Sequence, residues 1–268
     1  MTFDSATARP RLVVAKDLPA ATVPGHSFRF VADALDTGGA YSLTEATSPA
    51  GAGVPLHAHD SAVECFFVLE GDYRLTVSGR THDLGAGGFS LVPRGAPHRF
   101  TVAGEHTARA VVLFAPAGFE EVFRQMPDIF GTEGEPGPLW AAANALFDTR
   151  LLDSEPLDPA VELAGPPAVT KAGPVIVGSD RAVLTPLAGP AQTRTGLSIS
   201  VRTDPRAGLV WGIGPTVCAA WIVRGSYRLH TEQDTVSVHA GEFFSFDRPT
   251  SARAVAAEAN SQALLLCH

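Results

Sequence analysis

The chain has 268 residues, enough for one large domain or two of ordinary size. With 45% hydrophobic and 18% charged residues it is composed for a compact fold and not for disorder. Its net charge of −8 excludes an electrostatic footprint for nucleic acid or an anionic membrane surface, and 26 Gly with 21 Pro suit many short strands better than a helical bundle.

The first twenty residues, MTFDSATARPRLVVAKDLPA, lack the apolar core and small-residue cleavage pattern of a secretory signal. No stretch approaches the roughly 20 apolar residues that span a bilayer. The expected location is the cytoplasm. Cys65, Cys218 and Cys267 are odd in number and widely spaced, which argues against a disulfide framework. Lys16 and Lys171 are the only lysines beside abundant Arg, Ala, Gly and Pro, a bias that suits a high-GC bacterial genome.

From Phe28 to Phe114 short alternating segments recur: FRFVA, AYSLTEA, VECFFVLEG, YRLTVSG, FSLVP, HRFTVA and ARAVVLFA. Each ends in turn residues, the pattern of an antiparallel sandwich or barrel. The period then changes: Phe119, Val122, Phe123 and Met126 fall on one face of a helix, expected to pack on the barrel. A second helix is expected from Pro138 to about Leu152, with Pro138 in its first turn, an Ala-rich interior and Arg150 near its C-terminal end. Between Asp153 and Pro174 five prolines leave no expected regular element, so this stretch is assigned to an inter-domain linker.

Strand-like segments return from PVIVG at residue 174 to LLLCH at the C-terminus, and they repeat the first half. EGDYRLTV at 70–77 aligns with RGSYRLHT at 224–231, an offset of 154. The same offset pairs Gly71 with Gly225, Tyr73 with Tyr227, Gly87 with Gly241 and Phe89 with Phe243. A duplicated domain follows. The expected organisation is an N-terminal metal-binding barrel with its trailing helix (1–126), a helical and Pro-rich linker (127–174) and a second barrel (175–268).

Chemistry concentrates in PLHAHDSAVECFFVLEG. His57 and His59 are two apart, so on a strand both imidazoles enter one interior. Glu64 precedes an apolar run, where a charge needs compensation. His98 follows the sharp turn PRGAPH, whose Pro93 and Gly95 bend the chain back. Three imidazoles and one carboxylate suit a single divalent transition metal, iron, manganese, nickel, cobalt or zinc, better than calcium or magnesium. His26, His82, His106, His230, His239 and His268 have no such company and are read as structural, as is Cys65, which points away from Glu64's face.

The spacing then becomes specific. Gly51, five residues, His57-x-His59, four residues, Glu64, six residues and Gly71 resemble the first cupin motif at every fixed position. Gly87, five residues, Pro93-x-Gly95, two residues and His98 resemble the second, which departs only at Val102, where many cupins have Asn. Over both halves the chain resembles bicupins of the quercetin 2,3-dioxygenase-like group. That resemblance implies an all-β fold of two tandem jelly-roll barrels. It also implies a metal that binds an enolate or phenolate oxygen of a small-molecule substrate and promotes its reaction with dioxygen. His57, His59 and His98 are then ligands, and Glu64 a ligand that doubles as proton acceptor. Phe66, Phe89 and Phe100 are expected around a dry aromatic pocket, and Glu45 is a weaker candidate for an acid–base role, exposure being its plainer reading.

Carried by the offset, the four ligand positions become Trp211, Ile213, Cys218 and Ala252, so the second barrel is expected to be metal-free, apolar inside, and structural or oligomer-forming, which leaves room for a homodimer. Cupins host many reactions. A redox-neutral cyclase or isomerase of a polyketide-like intermediate, and a non-catalytic small-molecule-binding protein, therefore stand beside the dioxygenase reading.

Overall fold

The computed structural model describes residues 10–23, 25–131, 149–152, 168–170, 181–213, 219–246 and 251–268. These form two compact all-β units, each a pair of antiparallel sheets in the jelly-roll manner. No helix among the described residues is long and apolar enough to cross a membrane.

The larger unit starts at Leu18. Its seven-stranded sheet runs, edge to edge, Ala168–Thr170, Phe89–Val92, Val63–Glu70, Ala108–Ala115, Ser42–Ser48, His26–Ala32 and Ala21–Val23. The five-stranded sheet runs Thr149–Leu151, His57–His59, His98–Ala103, Asp72–Val77 and Arg80–Leu84. Alternation decides which side chains enter the barrel. In VECFFVLE, Phe66 and Val68 join the interior cluster with Leu75, Val77, Val112 and Phe114, and Glu64 shares their face. Cys65 and Phe67 are buried on the opposite face, which is why this strand reads as an unbroken apolar run. Burial pushes the Cys65 thiol far up, so it stays protonated and unreactive.

Glu120–Gly131 is the expected helix, and Phe119, Val122, Phe123 and Met126 are buried against the barrel interior. Two clasps hold it. Glu120 accepts from the N–H groups of Ala34 and Gly118, and Arg124 pairs with Asp33 at 2.8 Å and with Glu121 while lying over the Phe30 ring.

The middle of the chain departs from expectation. Of the proposed second helix, 138–148 lie outside the described residues, but Thr149–Leu151 is a strand on the five-stranded sheet. Ladder bonds to His57–His59 override the local helix preference of an Ala-rich neighbourhood. Ala168–Thr170 is likewise a strand, paired with Phe89–Leu91. Proline density forbids a helix there but tolerates a short strand between prolines. PVIVG lies outside the described residues.

The second unit has a six-stranded sheet in the order Arg11–Val14, Glu242–Ser245, Ala219–Arg224, Ser261–Cys267, Ser198–Asp204 and Val183–Ala188. Its four-stranded sheet is Val210–Gly212, Arg253–Ala256, Ser226–His230 and Thr235–His239. The N-terminal strand Arg11–Val14 thus belongs to this unit and not to the first barrel. The duplication is visible in the backbone: Gly71 and Gly225 adopt φ of +72° and +71°. A Cβ there would sit 2.8 Å from Ala108 or 2.5 Å from Ser261, so only glycine fits either turn.

Candidate metal centre

His57 and His59 stand on the three-residue strand His57–His59, directly paired with His98 at the start of its own strand. Glu64 is the second residue of the neighbouring sheet's central strand. One ligand atom from each of these four residues lies within 4.8 Å of all the others. His98 Nε2 is 2.8 Å from Glu64 Oε2, and His59 Nε2 is 3.4 Å from the same oxygen. His59, Glu64 and His98 are buried, whereas His57 keeps partial exposure.

Each imidazole is anchored by its outer nitrogen. His57 Nδ1 donates to the Pro55 carbonyl at 2.9 Å and His98 Nδ1 to the Ala96 carbonyl at 2.9 Å. His59 Nδ1 meets Thr149 Oγ1 at 2.9 Å. A carbonyl only accepts, so in the neutral rings of His57 and His98 the proton sits on Nδ1 and the Nε2 lone pair faces the centre. The PRGAPH turn fixes this geometry: the Gly95 N–H donates to the His59 carbonyl at 2.7 Å, and the same turn supplies the Ala96 acceptor.

The electrostatics agree. Burial, reinforced by His98 and His59, pushes the His57 pKa down to about 3, and burial lowers His59 too. Burial alone would raise Glu64, but the adjacent imidazoles of His59 and His98 hold it well below the usual carboxylate range. The neutral imidazoles of His57 and His59 therefore face an ionised, buried carboxylate. That arrangement is costly without a cation. His59 Nε2 is buried with no hydrogen-bond partner, as expected of an atom reserved for a metal. The residues fit one divalent transition metal with three imidazole ligands and one carboxylate.

A cleft of about 610 Å³, open solvent at its mouth included, leads to this centre. Phe28, Phe66, Phe100, Phe123, Met126 and Leu151 are among the residues that wall it. Among the described residues His57, Glu64 and Tyr73 are its polar ones, and no described Lys or Arg lines it. Phe66 and Phe100 meet edge to face with centroids 5.6 Å apart, and Phe100 contacts Tyr73 at 5.3 Å. Burial raises the Tyr73 hydroxyl to about 12, so it stays neutral.

Two expected site residues are not brought here. Phe89 is buried on the other face of its strand, in register with Phe67, and it is the alternate residues Ser90 and Val92 that face inward opposite Phe66 and Glu64. Glu45 is neither exposed nor in the cleft; it is 3% exposed and bound by Arg109, which also holds Glu70 at 2.7 Å. Conversely, Thr149, Phe28, Tyr73 and the helix face of Phe123 and Met126 join the site without having been expected there. The helix stripe was readable as packing, but nothing local distinguishes Thr149.

Residues 44–114 match the family model for the cupin domain. The N-terminal barrel is a cupin domain. Over 130 residues the chain is 31% identical to quercetin 2,3-dioxygenase of Bacillus subtilis, a match that covers 48% of this chain and 37% of that protein. The match thus spans little more than a third of the curated relative. Among solved structures, protein Ylba from E. coli superposes with a TM-score of 0.65 at 13% identity, covering 97% of this chain and 91% of that one. A variant of the oxalate decarboxylase of Bacillus subtilis gives a TM-score of 0.61 at 15% identity, with 96% and 76% covered. At these identities the likeness is one of fold: tandem cupin barrels.

In the second barrel the strand register refines the offset. Trp211 pairs with Ala254, the counterpart of Phe100, while the Ile213 N–H bonds to the Ala252 carbonyl at 2.8 Å. Ala252 is the counterpart of His98, so Ile213, not Trp211, stands where His57 does. Cys218 lies outside the described residues. Neither Ile213 nor Ala252 offers a ligand atom.

Proposed function

We propose that the chain is a metal-dependent oxygenase acting on a neutral aromatic or enolic small molecule. The observation that carries this reading is the cleft: among the described residues its walls are aromatic and aliphatic, without a cationic side chain, and His57 and Glu64 line it. The 31% identity to quercetin 2,3-dioxygenase of Bacillus subtilis supports it.

A divalent metal held by His57, His59, Glu64 and His98 supplies Lewis acidity toward a substrate hydroxyl. The chain does the rest. Phe66 and Phe100 present a T-shaped pair against which a planar ring can lie. The Phe123–Met126 face of the helix and Leu151 exclude water, so the field of Glu64 acts at low dielectric. Glu64, ionised and facing the cleft, accepts the substrate hydroxyl proton on a carboxylate oxygen.

An oxygen-electrode screen over flavonols and other enols tests the reading. Oxygen uptake that requires both metal and substrate is expected. Full turnover under strict anaerobiosis would instead favour a redox-neutral cyclase or isomerase.

A further inference from the structure

We propose that Thr149 is the positioning residue for His59: its buried hydroxyl holds the ring in the orientation that makes Nε2 the ligand atom. The three imidazoles are not held alike. His57 and His98 each donate Nδ1–H to a carbonyl two residues earlier in their own turn, so their orientation is local. His59 has no such local acceptor; its Nδ1 meets the Thr149 hydroxyl, 90 residues away in sequence. Both side chains are buried, at 3% and 5% exposure.

The strand Thr149–Leu151 is built to place that hydroxyl. Thr149 is the direct ladder partner of His59, Leu151 that of His57, and the Leu152 N–H donates to the Leu56 carbonyl at 3.0 Å. Between them Arg150 grips Asp60, the residue after His59, through two hydrogen bonds of 2.6 and 2.8 Å. Consecutive residues of this strand therefore orient a ligand, clamp the ligand-bearing strand and wall the cleft.

The chemistry distinguishes a hydroxyl from a carbonyl. A carbonyl forces the Nδ1–H tautomer, whereas a hydroxyl accepts from Nδ1–H or donates to bare Nδ1. His59 is thus the ligand whose partner fixes the ring position while allowing either tautomer. With Thr149 accepting, His59 Nε2 is left unprotonated, buried and otherwise unpartnered, 3.4 Å from Glu64. Loss of such an outer hydrogen bond costs about 10–100-fold in metal affinity.

The proposal rests on the metal site and is independent of the reaction assigned to it. Its test is cobalt(II) binding to the full chain, read by chelator competition and by the d–d absorption of the bound ion. Thr149→Val and Thr149→Ala should bind cobalt about 10–100-fold more weakly with an altered spectrum. Thr149→Ser should restore both to within a few-fold of the parent. Parental affinity in the Val and Ala variants, or a Ser variant as weak as they are, would overturn it. Arg150→Ala separates the hydroxyl from strand docking: it should keep most of the cobalt affinity, and a loss as large as that of Thr149→Val would also overturn the proposal. Because no turnover is read, an absence of oxygen uptake leaves this outcome untouched.

Discussion

The two barrels share turns and strand order yet distribute side-chain volume in opposite ways. In the first, Phe66 and Phe100 stand at the wall of a cleft, and the strand beside Phe66 carries the smaller Ser90 and Val92. At the matching positions of the second, Ala220 and Ala254 replace the two phenylalanines, while Trp211, Phe244 and Phe246 fill the middle. Trp211 packs 6.0 Å from Tyr227 and 6.2 Å from Phe244. Where the first barrel gathers three imidazoles and a carboxylate, the second places Ile213 and Ala252. One scaffold thus yields a polar centre at the end of a cleft or a filled apolar core, according to which faces carry the bulk.

The largest test of that contrast is Glu64→Gln. The amide keeps the shape and removes the charge, and turnover with metal supplied in excess should fall by about 10²–10⁴. Turnover within about threefold of the parent would remove Glu64 from the acid–base role.

Next come the two aromatic cores. Trp211→Ala empties a packed interior and should cost about 3–5 kcal/mol in urea unfolding. Phe100→Ala borders a space that is already open and should cost roughly 2 kcal/mol or less. Equal losses would contradict the filled-versus-open distinction.

Acid should act on the first barrel. His57 has a folded pKa of about 3 against an ordinary 6.5, so between those values the unfolded chain binds the extra proton. Stability of the metal-free protein is then present above pH 6.5 and is lost as pH falls toward 3. Glu64, held low in the fold, adds loss in the same direction at the acid end. The urea midpoint should drop between pH 7 and pH 4.5, and His57→Gln should flatten that slope. A midpoint that holds or rises would refute the neutral His57 imidazole.

The smallest effect expected is that of Arg124→Ala, which opens a partly exposed clasp on the helix over the cleft and should cost about 0–1 kcal/mol by thermal unfolding.

Much of this was legible in the sequence because it rests on short-range rules. Alternation placed His57 with His59 and Glu64 with Phe66, and the Pro93–Gly95 turn aimed His98. The stripe from Phe119 to Met126 gave the helix. The same alternation, pursued one step further, would have turned Phe89 outward, since Ser90 and Val92 are the residues in phase with Phe66 and Glu64. Glu45 was misjudged because its partner, Arg109, lies 64 residues away and only strand pairing brings them together. Thr149 and Arg11–Val14 were missed for the same reason. A strand of three or four residues has too little local pattern to announce itself, and its identity is conferred by the ladder it joins. The Trp211 equivalence failed by the same logic: an offset set by the turn at Gly71 does not survive into a strand with its own register.

The central claim is a single metal centre per chain, in the first barrel. Cobalt(II) titration of the metal-free full chain, beside its His98→Ala variant, tests it most directly. The account predicts one tightly bound ion per parent chain and none in the variant at the same free cobalt. Two ions per chain, or one retained by His98→Ala, would contradict it.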